Sequence, residues 1–323
     1  MDFTLNDEQR MFVKMFQDFC AKEVAPLAQE TDHQEQPPLA QLEAAAEQGF
    51  LGAILPERYE GAELDALSYV LLLEEMGKAC VSTALTLSIH VGLASRPILL
   101  HGTEEQRQRY LPALALGEMI GAFALTEQGA GSDPAALATR AIRQDGEYIL
   151  NGTKLWVTNA GIAGLLLVFA RVAGEEGVGG ISAFLVERDT PGLKVGYREK
   201  TMGLRGISTH AVYLDDCRVP AQNLLGEEGR GLAIALEALD FERLGLSAIC
   251  LGAAEAALEA GVRFAAEHVQ FGGPIAHKGA IQNMIADSSA EVEAMRYLVY
   301  HTAWLADQNE GANGASAMAK LIC

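Results

Sequence analysis

The chain has 323 residues, half of them hydrophobic, with 24 basic and 43 acidic side chains and a net charge of −19. This length and composition predict one large domain, or two to three ordinary ones, with a substantial core. An acidic surface does not attract nucleic acid or anionic lipid through its general field. Any anionic ligand would therefore have to be held by local donors.

The five cysteines are widely spaced without a CxxC motif, and the seven histidines form no cluster with ligand spacing. They predict free thiols in a reducing compartment and no metal site. We expect no membrane helix, because no apolar run approaches the ~20 residues that one needs. The start, MDFTLNDEQR, is polar and has no signal-peptide core, so a cytoplasmic protein is the default expectation.

Residues 1–118 are predicted to form an all-helical domain. Asn6 can cap the first helix, and Asp7 and Glu8 lie in its first turn, where the helix dipole favours anions. The apolar face of this helix consists of Phe12, Phe16, Phe19 and Val24. Loops with Pro and Gly separate further helical patterns at about 38–50, 65–80, 83–101 and 104–116.

Residues 119–224 predict a β-domain, because the pattern changes to short segments rich in β-branched and aromatic residues. These segments are MIGAFALTE, ATRAIRQ, GEYILNG, TKLWVTN, GLLLVFARV, ISAFLVERD and THAVYLDD. The dipeptides Asp145-Gly146 and Asn151-Gly152 are strong hairpin signals. No helices intervene between the segments, so we expect a mostly antiparallel sheet.

Residues 225–323 predict a helical bundle, which makes the whole chain α+β. One helix should run from Gly229 to about Glu267 and another from Gly279 to about Asn309. A third begins near Ala315 and is still running at Cys323, without a C-cap signal. From that ending we expect an incomplete bundle.

The stretch LDFERLGLS, residues 239–247, places a carboxylate on an apolar stripe. Glu242 falls at helical spacing among Leu232, Ala235, Leu236, Leu239, Leu246, Ile249 and Ala253. The residues three and four positions away from it are all apolar or small. The stripe therefore either faces a ligand at this point, or Glu242 is a rim carboxylate that pairs with a cation such as Arg243. Asp240, three residues before Arg243, is the better partner for that cation, which leaves Glu242 free.

Two stretches of the β-domain have features of a cofactor site. FALTEQGAGSD, 123–133, is a Gly-rich loop after a strand whose N–H groups could cradle phosphate, although it lacks the third glycine of the dinucleotide fingerprint. A plain turn capped by Ser132 and Asp133 is the alternative. In NGTKLWVTNA, 151–160, strand alternation puts Trp156 and Thr158 on one face, which suits a flat cofactor with a polar edge. The alternative is that Trp156 belongs to the core.

Taken in order, several motifs resemble those of the acyl-CoA dehydrogenase family across essentially the whole chain. They are LPERYEGAELD, FALTEQGAGSD, NGTKLWVTNAG, MGLRGISTHAVYLDDCRVPAQNLLGEEGRG, LDFERLGL, QFGGPI and AIQ. The resemblance implies FAD, an acyl-CoA thioester substrate and α,β-dehydrogenation to the trans-2-enoyl-CoA. It also implies electron transfer to an electron-transfer flavoprotein and a homotetramer, a dimer of dimers, in the catabolism of fatty acids or branched-chain amino acids.

The resemblance also implies roles for single residues. The flavin would contact Phe123, Leu125, Thr126, Gly131 and Ser132, with Trp156 and Thr158 at its ring and N5 edge, and His268, Phe271 and Gln282 at its adenine end. Ser132, Asp240 and Arg243 would lie along the substrate. Arg205, in the MGLRG motif, could contact a ligand or brace a loop. Glu242 occupies the position of the catalytic base in the isovaleryl-CoA and long-chain branches, and removal of an α-proton requires such a base.

Three departures from the family pattern keep other functions open. His268 replaces the usual arginine on the FAD pyrophosphate, and Lys278-Gly279 replace the usual Phe-Gln. The chain also ends before the last helices of the family. Lys278 could supply positive charge or be a solvated surface lysine. The alternatives are an O2-using acyl-CoA oxidase and a truncated, non-catalytic paralogue that binds acyl-CoA or a partner.

Overall fold

The structure is a computed structural model that describes residues 4–173, 180–308 and 312–323. It confirms the predicted order of helical, β and helical regions. The helices are α1 Asp7–Phe19, α2 Ala25–Gln34, α3 Leu39–Glu47, α4 Ala66–Ala79, α5 Val81–Ser88, α6 Arg96–His101, α7 Glu104–Ala115, α8 Gly231–Glu267, α9 Gly279–Asp307 and α10 Asn313–Ile322. The predicted helix end at Asn309 lies outside the described residues.

The strands are β1 Gly121–Ala124, β2 Arg140–Gln144, β3 Glu147–Val157, β4 Leu165–Val172, β5 Ile181–Glu187, β6 Leu193–Arg198, β7 His210–Pro220, β8 Leu224–Leu225, β9 Val269–Gln270 and β10 Gly273–Pro274. Eight of them form one sheet in the order β6-β7-β3-β2-β4-β5-β8, with β1 beside β4. The pairs β1–β4 and β2–β4 are parallel, and the other pairs are antiparallel. The prediction of a mostly antiparallel sheet is confirmed.

The first helix begins as its sequence predicts. The Asn6 side chain accepts from the Gln9 backbone N–H at 2.8 Å, and the Gln9 side chain accepts from the Asn6 N–H at 3.0 Å. This reciprocal pair is a capping box, which satisfies two N–H groups that the helix leaves unpaired. Phe16, Phe19 and Val24 of the predicted apolar face are buried.

One of the two predicted hairpin turns is wrong. Asp145 and Gly146 have φ of 50° and 84°, as the turn between β2 and β3 requires. Asn151-Gly152, by contrast, lies inside the continuous strand β3. A Cβ at Gly152 would lie 2.3 Å from the Thr139 Oγ1, so the glycine permits a close approach within the sheet.

The chain divides into two compact units, each assembled from segments that are distant in the sequence. Unit 1 comprises Met1–Ala28, Asp65–Ala84 and Arg243–Cys323, and unit 2 comprises Gln29–Leu64 and Leu85–Glu242. The domain boundaries predicted at 118 and 224 differ from this division and stay a prediction.

Within unit 2 the central strand β4 is buried on both faces. Leu165, Leu167 and Phe169 belong to one apolar cluster, whereas Leu166 and Val168 belong to the other. This arrangement explains why GLLLVFARV reads as a continuous apolar run rather than an alternating one. The sheet that carries the Gly-rich loop is therefore packed against apolar side chains on both of its faces.

Within unit 1 a partly buried ionic cluster joins α4, α8 and α9. Arg296 lies 2.9 Å from Glu255 and 3.6 Å from Glu74, and Lys78 lies 2.8 Å from Glu255. The Tyr300 hydroxyl donates to Glu74 at 2.7 Å. Burial raises the pKa of Glu74 to about 7 despite these partners. The cluster fixes these helices through charge as well as apolar packing.

Two helical segments of the described residues are long and apolar enough to cross a membrane, by length and composition only: Val81–His101 and Gly231–Glu267. By this test the expectation that no apolar run reaches that length is wrong. The fold buries 78% of the most apolar window in the first segment and 33% in the second. The core helix of a globular domain passes the same test, so this is weak evidence for a membrane.

Candidate active site

Glu242 of α8 is a buried carboxylate with one oxygen paired and one oxygen unpaired. Glu242 is only 4% exposed. The Ser88 hydroxyl donates to Oε1 at 2.9 Å, whereas Oε2 is buried without a hydrogen-bond partner among the described residues. Burial raises the pKa of Glu242 to about 8, and the Ser88 hydrogen bond opposes that rise. A buried polar atom without a partner is costly, so such atoms point to function.

The surroundings of Glu242 do not support its interpretation as a rim carboxylate that pairs with a cation. Burial and the Ser88 hydroxyl determine the pKa of Glu242, and no described cation contributes to it. The stripe around it is apolar: Ala235, Ala238 and Ile249 are buried. Leu236, which we placed on that stripe, is 44% exposed, so that part of the prediction is wrong. The rim-carboxylate interpretation therefore loses its support.

Opposite Glu242, the helix that begins with α5 continues as a π-helical segment, Ile89–Ser95, before α6. A Cβ at Gly92 in this segment would lie 2.5 Å from the Glu242 Oε2. His90 is fully buried; its Nδ1 accepts from the Gly121 N–H at 2.9 Å and its Nε2 lies 3.1 Å from the Leu114 carbonyl. Burial lowers the pKa of His90 to about 4, so the neutral ring ties the π-helical segment to β1. Such π segments frequently occur at functional sites.

The Gly-rich loop that follows β1 is held by a buried ion pair. Lys154 of β3 is fully buried; its Nζ lies 2.6 Å from the Glu127 Oε1 and donates to the Leu125 carbonyl at 3.0 Å. Glu127 also accepts from the N–H groups of Ala138 and Thr139 at 2.6 and 3.0 Å. Burial lowers the pKa of Lys154 to about 8, although Glu127 acts against this shift. The Lys154–Glu127 pair thus holds the start of the loop at Leu125 and its end at Ala138 and Thr139.

Within the same loop, Phe123 and Thr126 are half-buried, Leu125 is buried, and Gly131 and Ser132 are exposed. The Asp133 side chain accepts from the Ala135 N–H at 3.1 Å, so the alternative of a capped turn is correct for Asp133. A Cβ at Gly131 would meet nothing within 4 Å. The loop therefore has open space beside it.

Trp156 lies next to this loop and is not a core residue. Its side chain is 58% exposed, and its φ is 52°, in the left-handed region that bulky residues rarely adopt. The Leu155 N–H donates to the Thr126 carbonyl at 2.9 Å, which brings this part of β3 to the loop. The interpretation of Trp156 as core is wrong, and strain of this kind clusters at functional sites.

The strand alternation that we expected for Trp156 and Thr158 is interrupted. The pairing of β3 with β7 shifts register between Lys154 and Val157, and Thr158 follows the end of β3. Thr158 is half-buried, and its Oγ1 lies 3.2 Å from the Thr209 Oγ1. An exposed indole and half-buried hydroxyls at Thr126 and Thr158 nevertheless suit a flat, partly polar group.

Arg205 braces a loop within unit 2. Its Nε donates to the Asp32 Oδ1 at 3.2 Å, and a terminal nitrogen pairs with the Asp32 Oδ2. A second ion pair, to Glu35, spans 3.9 Å. This bidentate geometry favours the bracing role over the ligand role that the sequence left open.

The remaining predicted residues lie in both units. Asp240 is half-buried in unit 2, and Arg243 is half-buried in unit 1. His268, Phe271 and Gln282 are exposed in unit 1. His268 stacks on Phe264 with ring centroids 4.8 Å apart. Phe271 is 95% exposed. Lys278 is also exposed, and its Nζ lies 5.6 Å from the centroid of the Phe271 ring.

Sequence reasoning missed Ser88, Gly92, Glu127 and Lys154. The sequence could have predicted the burial of Lys154. In β3 it lies on the same face as Tyr148 and Leu150, and all three residues are buried. A lysine at such a position requires a buried partner. Ser88 and Gly92 had no signal, since a small residue in an apolar helix is ordinary.

Family models identify the class of protein that this fold and site define. The acyl-CoA dehydrogenase N-terminal domain matches residues 6–118, the middle domain matches 122–217, and the C-terminal domain matches 229–323. The chain therefore belongs to the acyl-CoA dehydrogenase family and is an oxidoreductase of that type. The family predicted from the sequence motifs is confirmed.

Two curated relatives cover most of the chain. An acyl-CoA dehydrogenase of Bacillus subtilis is 42% identical over 98% of this chain and 83% of the relative. An acryloyl-CoA reductase (NADH) of Anaerotignum propionicum is 43% identical over 99% of this chain and 82% of the relative.

Solved structures share the fold over the same extent. Butyryl-CoA dehydrogenase from Megasphaera elsdenii is 39% identical with a TM-score of 0.97, over 100% of this chain and 85% of that one. A chain in the structure of the electron transferring flavoprotein of Acidaminococcus fermentans is 43% identical with a TM-score of 0.97, over the same shares. An acyl-CoA dehydrogenase from Bacillus anthracis, solved with FAD, is 36% identical with a TM-score of 0.89, over 98% of this chain and 56% of that one.

Proposed function

We propose that the chain dehydrogenates an acyl-CoA thioester between Cα and Cβ to the trans-2-enoyl-CoA, with Glu242 as the catalytic base. The buried, unpaired Oε2 of Glu242 is the observation that carries this proposal. A carboxylate that burial makes more basic is suited to removing a weakly acidic α-proton. Its apolar surroundings also exclude water, which would otherwise solvate and weaken the base.

FAD is the cofactor that these residues suit. The exposed indole of Trp156 can pack on a flat ring, and the hydroxyls of Thr126 and Thr158 can bond its polar edge. Phe123, Leu125, Gly131 and Ser132 complete that side, and the Lys154–Glu127 pair keeps the loop in place. When bound, FAD supplies the acceptor for the hydride that leaves Cβ.

The adenine end of FAD would be held by a second copy of the chain in a homo-oligomer, a dimer of dimers. His268, Phe271 and Gln282 are exposed, as residues that serve a neighbouring subunit must be. An imidazole lacks the planar fork of N–H donors with which an arginine holds a pyrophosphate at two oxygens. Lys278, whose Nζ lies 5.6 Å from the centroid of the Phe271 ring, would supply positive charge in its place.

The substrate would be a short or branched acyl chain on CoA. A small apolar cluster of Ile89, Leu93 and Ala238 adjoins the helix turn that carries Glu242, with Phe123 and Leu239 packed against it. The M. elsdenii neighbour is named for a four-carbon acyl group. Asp240 and Ser132, both in unit 2, would contact the polar part of the thioester.

An electron-transfer flavoprotein is the electron acceptor that we propose, in a cytoplasmic setting. The support is the likeness to a chain in the solved electron transferring flavoprotein structure of A. fermentans. Transfer between two protein-bound flavins would require the chain to dock with that partner only transiently.

The visible spectrum during anaerobic titration with acyl-CoAs tests this function. We expect a flavin band that bleaches most readily with short or branched substrates, and a Glu242→Gln variant that keeps the band but loses the bleaching. Gln keeps the shape of the side chain and removes only its basicity. Bleaching at a normal rate in Glu242→Gln would contradict the assignment of the base.

The acceptor is tested separately. Steady turnover with a purified electron-transfer flavoprotein, and little O2 consumption in its absence, is the expected result. Rapid O2 consumption with acyl-CoA would instead identify an oxidase. No flavin band after addition of FAD would favour a non-catalytic binding protein.

A further inference from the structure

The helix opposite Glu242 supplies the hydroxyl and the space that determine where its carboxylate lies. The Ser88 hydroxyl is 2.9 Å from Oε1, and Gly92 lies one helical turn further along, beside Oε2. Ser88 is fully buried, so its hydroxyl has no water with which to exchange this bond. The carboxylate is thus held at one oxygen and given room at the other.

We propose that Ser88 and Gly92 are positioning residues for Glu242: the Ser88 hydroxyl fixes Oε1, and the absent side chain of Gly92 leaves the space that Oε2 occupies. This proposal rests on the proposed function, in which Glu242 is the base. It adds a determinant of base geometry on a different helix, 150 or more residues earlier in the chain.

The need for glycine at position 92 follows from distance. An alanine Cβ would lie 2.5 Å from the Oε2 of Glu242 and 3.5 Å from the Phe241 Cδ1. Carbon and oxygen atoms do not approach so closely without bonding, so the carboxylate would have to rotate or α8 would have to shift. A base displaced by about 1 Å loses a large part of its rate, because proton transfer depends on alignment.

The need for the serine hydroxyl follows from charge. A hydroxyl that donates to a carboxylate stabilises its ionised form, so Ser88 opposes the effect of burial on the pKa of Glu242. Removal of the hydroxyl leaves Oε1 as well as Oε2 without a described donor. The carboxylate would then hold its proton more tightly and be ionised only at higher pH.

Other titratable groups in unit 2 that lie near this region have partners of their own. His90 bonds Gly121 and Leu114, and burial lowers its pKa so that the ring is neutral. Arg96 lies over the Phe241 ring at 4.4 Å and 3.9 Å from Glu237, and the His101 Nε2 is 2.9 Å from Glu237. Ser88 is therefore the polar group of unit 2 that acts directly on Glu242 among the described residues.

The position of the segment is itself fixed, which makes the arrangement rigid. His90, between Ser88 and Gly92, anchors the π-helical segment to the start of β1 through the Gly121 N–H. Ser88 is the last residue of α5, and Gly92 lies within the π-helical segment Ile89–Ser95. The base is held by packing and one hydrogen bond rather than by an ion pair.

The test measures the rate of flavin bleaching by acyl-CoA from about pH 6 to 10 in Ser88→Ala and Gly92→Ala. In Ser88→Ala we expect the pH at which the rate is half-maximal to rise by about one unit, because one charge-assisted hydrogen bond is lost. In Gly92→Ala we expect a rate about tenfold or more lower at every pH, because the base is displaced. Flavin content should stay normal in both variants.

Two control variants separate positioning from loss of packing. Ser95→Ala removes a buried serine hydroxyl of the same segment, which donates to the His90 carbonyl at 2.9 Å. Gly261→Ala adds a methyl to α8 where nothing lies within 4 Å. Both controls should keep the wild-type pH profile, whatever their thermal stability.

The outcomes distinguish this proposal from the proposed function. Loss of bleaching in Glu242→Gln together with an unshifted pH profile in Ser88→Ala would overturn the role of Ser88 and leave Glu242 as the base. A normal bleaching rate in folded Gly92→Ala would overturn the role of Gly92. Retained bleaching in Glu242→Gln would remove the base itself. A shifted profile in Ser88→Ala with an unshifted one in Ser95→Ala supports the proposal.

Discussion

Burial of Glu242 should make the folded protein less stable as the pH rises, and Glu242→Gln should remove that dependence. The pKa of this carboxyl is about 8 in the fold, against 4.5 for an exposed glutamate. Between these two values the folded chain binds a proton that the unfolded chain releases. The stabilising contribution is thus fully present below about pH 4.5 and is lost as the pH rises towards 8.

The size of the effect follows from the shift. Each pKa unit corresponds to about 1.4 kcal/mol, so a rise of roughly 3.5 units corresponds to a loss of about 5 kcal/mol between pH 4.5 and pH 8. This is on the order of a third or more of the roughly 5–15 kcal/mol that typically stabilises a domain. Gln cannot ionise and has nearly the same shape, and its carbonyl oxygen can still accept from the Ser88 hydroxyl.

The assay compares wild type and Glu242→Gln, both loaded with flavin, by urea unfolding at about pH 5 and pH 9. All other carboxylates, including Glu74, titrate in both proteins, so the difference between their pH dependences isolates residue 242. We expect the variant to gain several kcal/mol relative to wild type at the higher pH, and much less at the lower one. Parallel pH dependences would mean that Glu242 titrates as an exposed group, and would refute the argument from burial.

Two further predictions concern the flavin side of the site. Lys154→Met leaves the buried Glu127 carboxylate without its cation and should destabilise the protein by about 3–5 kcal/mol in thermal or urea unfolding. The control Lys194→Met removes an ion pair that spans 4.0 Å on the surface and should change stability by less than about 1 kcal/mol; equal effects would contradict the buried-pair argument. Trp156→Ala should leave stability nearly unchanged, since the side chain is 58% exposed, but should weaken FAD binding by about twofold to tenfold in titrations of the apoprotein. Unchanged FAD affinity in that variant would show that the indole does not contact the cofactor.

The sequence predicted the features that depend on local periodicity and local hydrogen bonds. The Asn6 capping box, the Asp145-Gly146 turn and the long helix that carries Glu242 all follow from residues close together in the chain. The motifs also identified the family, because several of them are individually specific and their order restricts the alternatives. The roles of single site residues remain predictions until the variants are measured.

Local signals failed where a distant residue decided the outcome. Asn151-Gly152 has the composition of a turn, but both residues lie in β3, where Gly152 pairs with Leu214 of β7 and Thr139 leaves no room for a side chain. Trp156 has the composition of a core residue, but a register shift in the pairing of β3 with β7 leaves it exposed. Neither contact is visible in the local sequence.

The chain's own pattern therefore determined that a carboxylate would interrupt an apolar helix face at Glu242. Only the tertiary structure decided what that carboxylate meets: a serine hydroxyl at Oε1 and the space beside Gly92 at Oε2. The same holds for Lys154, whose burial the strand pattern indicates but whose partner, Glu127, only the fold reveals. The physical reason is that periodicity reports which face of an element is buried, whereas proton affinity depends on the particular atoms that packing brings within hydrogen-bond distance.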